Sequence, residues 1–220
     1  MSLRPVAAVA ALLVSLAAAG AGAGAAMTPS GDQLLARAAI APGLRSYAVP
    51  LTLNVHLHKP IGARTKVEAT AYFKAPARAA IVITRATGII GGFFRGGYNL
   101  DMVPQAWPRK YHVLSVTAGS ANGVPVEVLR AVPRGNAGDV DAVIFTVTKA
   151  HLAPVAAQWL YRDNSTITLA YTNGPVGTYT LPQTATIAVD MPKYALDASG
   201  TYGSYALNAP VADSVFATAK

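Results

Sequence analysis

Twelve residues, Tyr47 to His58, alternate between two chemical characters without a break. Tyr47, Val49, Leu51, Leu53, Val55 and Leu57 stand against Ala48, Pro50, Thr52, Asn54, His56 and His58. On an extended chain a period of two sends each set to its own face; on a helix both sets would scatter around the axis. The segment is therefore a long strand with one apolar face, and the rest of the chain must supply a cover for that face. Pro50 has no N–H to give to a ladder, which places the strand at a sheet edge or at a bulge.

The same period returns along the chain. After a turn at Lys59–Arg64, Val67, Ala69, Ala71 and Phe73 alternate with Lys66, Glu68, Thr70 and Tyr72, and a third strand follows Pro76, centred on Ile81-Val82-Ile83. Tyr111 to Thr117 and Val124 to Val132 flank Asn122-Gly123, a strong signal for a two-residue hairpin turn. Val143, Phe145 and Val147 mark the next strand. From Ala157 to Asn208 the chain reads as an antiparallel meander. Trp159 and Tyr161 run into a polar turn at Arg162–Ser165, and Ile167, Leu169 and Tyr171 run out of it. A break is expected at Asn173-Gly174-Pro175, then a short strand from Tyr179, a further one through Ile187, Val189 and Met191 to Pro192, and a last β-rich piece from Tyr202 to Asn208. With no internal repeat and no linker, residues 27–220 form one domain of mainly β (α+β) class.

One helix interrupts this pattern, from Ser30 to Ile40. Ser30-Gly31-Asp32-Gln33 fits the S-x-x-Q capping box, Leu34, Leu35 and Ala38 form an apolar stripe, and Pro42-Gly43 ends the run. So short a helix needs a surface to pack on.

The first residues carry a different signal. Arg4, the apolar run Val6–Ala19 and the small residues Ala21–Ala26 have the layout of a secretory signal peptide, with cleavage expected close to Ala26-Met27. The apolar run is short for a bilayer span of ~20 residues. Cysteine is absent, so neither a disulfide framework nor a lipid-modified cysteine at the cleavage point is available. A soluble, periplasmic or secreted protein is expected, and a monomer.

Composition and motifs exclude several classes. Net charge is +8, falling to about +7 without Arg4, but the basic residues are scattered; Lys59, Arg64, Lys66, Lys74, Arg78 and Arg85 come nearest to a cluster. A nucleic-acid binder needs a basic face interleaved with stacking aromatics, so no nucleic-acid partner is expected. G-x-S-x-G and H-E-x-x-H are missing, and His112 and His151 have no evident Ser and acid partners. Glu68 and Glu127 show no sign of pairing for acid–base work, so no enzyme and no cofactor are expected. His56 and His58 share one strand face and could hold an ion together, but a third ligand is not visible, so no metal is expected.

Between Thr87 and Pro108 the alternation fails. The stretch carries five glycines together with Ile89, Ile90, Phe93, Phe94, Tyr98, Met102 and Trp107. Loops are normally polar, so an apolar one reads either as a lid or wall over a greasy ligand site or as a plug in the domain's own core.

At this point the order of parts resembles a family, the LolA-like periplasmic lipoprotein carriers and outer-membrane lipoprotein-sorting proteins. The likeness lies in the helix Gln33-Leu34-Leu35, the strand after Leu44-Arg45-Ser46-Tyr47, and the step Ala71-Tyr72-Phe73-Lys74-Ala75-Pro76-Ala77-Arg78. Trp159-Leu160-Tyr161, Ser165-Thr166-Ile167 and Tyr179-Thr180-Leu181-Pro182 extend it over most of the chain after Ala26. The family's lid-fastening arginine matches no position. The resemblance implies a strongly bent antiparallel sheet, an incomplete barrel closed by the short N-terminal helix and loops. Its concave face would hold lipid or lipoprotein acyl chains by burial, at ~0.8 kcal/mol per methylene, with envelope proteins or a membrane surface as further partners. The expected wall is Leu51, Leu53, Val55, Leu57, Val67 and Phe73, with Ile89, Ile90, Phe93, Phe94 and Trp107 from the apolar loop and Trp159 from the meander. Two alternatives stand beside the carrier: an envelope sensor or interaction module on the same scaffold, and a secreted structural β-sandwich with no small-molecule ligand.

Overall fold

The computed structural model describes residues 29–86, 103–135 and 138–217. The expected leader, and Ile89, Ile90, Phe93 and Phe94 of the apolar loop, lie outside them.

The helix forms as its cap dictates. In α1 (Gly31–Ala39) Gln33 N donates to Ser30 Oγ at 3.2 Å while Ser30 N donates to Gln33 Oε1 at 2.8 Å, closing the capping box. Leu35, Ala38 and Ala39 are buried.

The strands follow as β1 (Ser46–Lys59), β2 (Ala63–Lys74) and β3 (Arg78–Ala86). After the apolar loop, a 3-10 turn at Pro104–Ala106 runs into the one-turn helix α2 (Trp107–Lys110). Then come β4 (Tyr111–Ala121), β5 (Val124–Pro133), β6 (Val140–Thr148), β7 (Pro154–Tyr161), β8 (Thr166–Val176), β9 (Tyr179–Asp190), β10 (Ala195–Tyr202), β11 (Ala206–Leu207) and a terminal turn α3 (Ser214–Ala217). All eleven strands belong to one antiparallel sheet in the order β3-β2-β1-β10-β9-β8-β7-β6-β5-β4, with β11 also beside β1. The two end strands, β3 and β4, do not pair, so the sheet curls without closing into a barrel.

Four details correct the expectations from sequence. Pro50 lies neither at an edge nor at a bulge, for β1 has β2 on one side and β10 and β11 on the other. Gly203 N donates to Pro50 O, so the ring nitrogen faces the gap between Tyr202 and Ala206 where that partner strand is interrupted. The break at Asn173-Gly174-Pro175 does not occur; β8 runs through it to a turn at Gly177-Thr178, with a bulge that leaves Gln183 unmatched and sets Pro182 opposite Asn173. Tyr179 to Asp190 is accordingly one strand rather than two. The last full strand begins at Ala195 and includes Gly200, where a Cβ would stand 2.9 Å from Leu53 Cδ2. The missing side chain lets Leu53 lie across β10.

Cross-strand partners show that the apolar sets of successive strands share one face. A single row runs Val55, Ala198, Ile187, Leu169, Ala157, Phe145 and Leu129 across seven strands, β1 to β5 through β10, without a polar member. This is the face that α1 covers in part: Leu35 and Ala38 pack with Trp107, Tyr111, Phe145 and Trp159 in the main core.

Candidate functional site

The inner face divides into two parts. Over β4 to β7 and the adjoining ends of β8 and β9 it is filled. Trp107 and Phe145 lie with ring centroids 4.4 Å apart, Trp159 stands edge-on to Phe145 at 6.5 Å, and Trp159 Nε1 donates to Tyr111 Oη at 2.8 Å. Trp107 is fully buried and Trp159 is 3% exposed.

Helix α1 is fastened onto this part by one carboxylate. Asp32 accepts from Val113 N (2.8 Å), Arg134 Nη2 (2.6 Å) and His112 Nδ1 (2.9 Å). Burial works to raise its pKa, but those three hydrogen bonds and the Arg134 charge outweigh it and bring the carboxyl to about 2. His112 thus has an acid partner 80 residues upstream, in a clamp between helix and sheet. Gly31 fits the same close approach, since a Cβ there would meet Val113 Cγ1 at 2.4 Å.

Over β1, β2, β3, the far ends of β8 and β9, and β10, the described residues leave the inner face partly open. A cavity of about 330 Å³ lies there, between the C-terminal end of α1, the turn at Pro104–Ala106 and these strands. Ala71 and Ile81 line it from β2 and β3, Leu181 from β9, and Tyr47, Tyr171 and Tyr202 from β1, β8 and β10. Gln105 reaches it from the turn, and Arg37 and His151 stand exposed at its rim.

The tyrosines set the electrostatics of this wall. Burial, then repulsion by Tyr202, pushes the Tyr47 hydroxyl up in spite of a hydrogen bond from Gln105. Burial raises Tyr171 further still, and Tyr202 to about 12. Tyr205, behind them, is raised by burial too, and its hydroxyl donates to Pro182 O at 2.7 Å. These phenols stay neutral throughout the physiological range, so the wall is apolar carbon dotted with uncharged hydroxyls.

The residues singled out from sequence fall in four places. Trp107 and Trp159 belong to the filled part. Phe73 is fully buried with Leu44 and Leu181, in a cluster that includes Tyr47 and Tyr179 and adjoins the cavity. Val55 and Val67 form a smaller cluster with Ala198, against which half-buried Leu53 packs; Leu51 is buried and Leu57 half-buried on the same face. Ile89, Ile90, Phe93 and Phe94 lie outside the described residues. The cavity is lined by other residues of the same strands, and Gln105, Tyr171, Tyr202 and Arg37 were not singled out. For Tyr171 and Tyr202 the available signal was a tyrosine in an inward register, since a phenol needs both an apolar bed and a polar partner; Gln105 and Arg37 carry no such signal.

His56 and His58 lie on the outer face with ring centroids 4.2 Å apart, and His58 Nε2 is 2.7 Å from Asp197 Oδ2 on the neighbouring strand. Among the described residues no group of three or more His, Cys, Asp or Glu is arranged to hold a metal. No described helix is long and apolar enough to cross a membrane.

No protein-family model matches the sequence, and no curated protein matches it. Solved structures do match in shape. A LolA superfamily protein from Nitrosomonas europaea superposes with a TM-score of 0.61 at 12% identity, over 86% of this chain and 98% of its own. The fold is LolA-like. A DUF1329 family protein from Desulfovibrio piger gives 0.65 at 12% identity, over 84% and 95%. An outer membrane lipoprotein-sorting protein domain from Vibrio parahaemolyticus gives 0.52 at 12% identity, over 80% and 91%. At such identities the likeness is one of architecture, and the LolA-like sheet carries over no residue role.

Proposed function

We propose that the protein is an exported, non-catalytic carrier or binder of lipid or lipoprotein acyl chains, held on the inner face of its LolA-like sheet. One observation supports this reading: the described residues fill the inner face only in part, and what is left among them is a cavity of about 330 Å³ walled mainly by apolar side chains and neutral phenols. Preformed, mostly apolar cavities of this size are the usual form of a small-molecule site, and a flexible chain needs no directional partner beyond a few hydroxyls. The signal-peptide pattern before Ala26 supports export, with N-terminal sequencing of the secreted protein expected to start close to Met27. Lipid extraction and mass spectrometry of protein purified from the periplasm should find acyl chains at a stoichiometric level. A lipid-free protein that also ignores a fluorescent fatty-acyl probe would remove the carrier reading.

A second reading, an interaction module on the same scaffold, is favoured by the edge strand β4. Among the described residues it has no strand neighbour on one side, where only Val113 N is taken up, by Asp32, and Leu114 and Val116 on it are exposed, as is Val124 on β5. A free edge with apolar side chains is suited to adding a partner's strand.

A further inference from the structure

We infer that two neighbouring hairpin tips, residues 59–62 between β1 and β2 and residues 191–194 between β9 and β10, form a docking surface for an anionic phospholipid bilayer. The inference does not depend on what the cavity holds.

Among the described residues the exposed large hydrophobic side chains fall in two places. Leu114, Val116 and Val124 lie by the edge strand β4, and Ile61 and Tyr194 stand on two turns. The sheet sets these turns side by side. β1 and β10 pair as far as Lys59 and Ala195, Lys59 Nζ is 3.9 Å from Asp190 Oδ1, and Met191 N donates to Tyr194 O at 3.0 Å to close the second turn. Each turn holds a lysine, a proline and one bare apolar side chain: Lys59-Pro60-Ile61 in the first, Pro192-Lys193-Tyr194 in the second. Ile61 is 51% exposed and Tyr194 44%.

Behind the tips the outer face is basic. Arg64 and Lys66 on β2 stand opposite His56 and Asn54 on β1, and these four side chains border a shallow open groove. Arg85 follows on β3, opposite Glu68. With the tips included, Lys59, Arg64, Lys66, Arg85 and Lys193 face only Glu68, Asp190 and Asp197. Lys66 pairs with Glu68 at 3.0 Å, Lys59 with Asp190, and His58 with Asp197. Arg64, Arg85 and Lys193 have no carboxylate partner among the described residues.

An apolar tip and a cationic collar are the two components of binding at a membrane interface. An isoleucine can enter the boundary between headgroups and acyl chains, a tyrosine lies at that boundary with its hydroxyl in water, and lysine and arginine meet the phosphates above. Because Ile61 and Tyr194 project from turns, they can enter without stripping water from strand backbone. A protein partner fits less well. A specific protein interface takes about 800 Å² from each side around a contiguous apolar centre, and two single side chains on separate turns do not make one.

Vesicle flotation with protein purified after export tests this. The wild type should bind phosphatidylcholine vesicles holding about one third phosphatidylglycerol at least about tenfold more tightly than vesicles of phosphatidylcholine alone. That preference should be strong at about 0.05 M salt and largely gone at about 0.5 M. Ile61→Ser with Tyr194→Ser should weaken binding to the anionic vesicles at least about fivefold, whereas Ile61→Leu with Tyr194→Trp should bind as the wild type does. Arg64→Gln with Lys193→Gln should cut the preference for anionic vesicles by a similar factor. Equal binding to both vesicles, or binding to neither, would overturn the inference. A serine double variant that binds like the wild type would overturn it too, because the contact would then lie elsewhere on the molecule. The wild-type comparison decides by itself, so a variant that failed to fold would not rescue the idea.

Discussion

The two parts of the inner face are made from the same alternating strands, yet among the described residues one is solid and the other hollow. Under α1, the row through Leu169, Ala157, Phe145 and Leu129 meets Leu35, Ala38 and two tryptophans and is sealed. Further along the sheet, the equivalent positions end in Ala71, Ile81, Tyr171 and Tyr202, and the helix stops at Ala39 before it can cover them. Strand pattern settles which residues point inward. Whether an inward position becomes core or cavity depends on side-chain volume and on how far the covering helix reaches. A nine-residue helix, ~14 Å at 1.5 Å per residue, cannot span a sheet of this many strands spaced ~4.8 Å apart.

Truncation should separate the two parts most sharply. Phe145→Ala in the filled part should cost about 3–5 kcal/mol in chemical denaturation, the usual range for a fully buried ring. If it cost under 1 kcal/mol, the filled part would be as loosely packed as the cavity.

Loosening the clamp that joins helix to sheet should come next. Asp32→Ala leaves Val113 N, Arg134 Nη2 and His112 Nδ1 without this acceptor, and a loss of about 1–2 kcal/mol is expected, reduced from the buried-charge range because the carboxylate is a third exposed. The carboxyl pKa is depressed in the folded state, from 3.8 to about 2. The contribution of Asp32 is therefore complete above about pH 4 and fades as acid carries the pH down towards 2. Acid titration of stability should show a steeper fall for the wild type than for Asp32→Asn across that window; parallel curves would show that the clamp carries no linkage.

The cavity should respond in the opposite manner to the core. Ala71→Leu adds bulk where there is room, so stability should move by less than about 1 kcal/mol while fluorescent acyl-probe binding falls at least tenfold, ~1.4 kcal/mol. Severe destabilisation would mean that Ala71 already fills its space. The smallest effect is expected on the outer face. Replacing His56 and His58 with Gln removes an exposed contact to Asp197 and should change stability by no more than about 0.5 kcal/mol. Loss of a stoichiometric metal from that double variant, read by elemental analysis, would reveal a site that the strand pair alone does not show.

Much of this architecture was legible before any coordinates, for a physical reason. Alternation and helix capping are local: Ser30 finds Gln33 three residues away, and Asn122-Gly123 sets its hairpin from its own torsions, with φ of 51° and 79°. What was misread depends on distant chain. Pro50 looked like an edge residue because its tolerance comes from a gap in the opposite strand, some 150 residues later. Asn173-Gly174-Pro175 looked like a stop because the bulge that admits it is completed by Gln183 on the partner strand. His112 looked unpartnered because Asp32 reaches it only through helix docking. The cavity was the hardest to locate, since Tyr171 and Tyr202 approach each other only when β8 and β10 are placed on either side of β9.

The pairing of β1 with β10 also bears on how the chain comes together in time. Leu51 meets Tyr202 and Leu57 meets Leu196, so the first strand to leave the ribosome waits for nearly the last. Closing so long a loop adds only slowly to the entropy cost, as the logarithm of its length, but pairings of high sequence separation make folding slow. Until β10 arrives, the three-stranded meander of β1 to β3 keeps one side of β1 unpaired, with Val49, Leu51 and Val55 along it. A chain in this condition is open to mispairing along that unpaired strand edge.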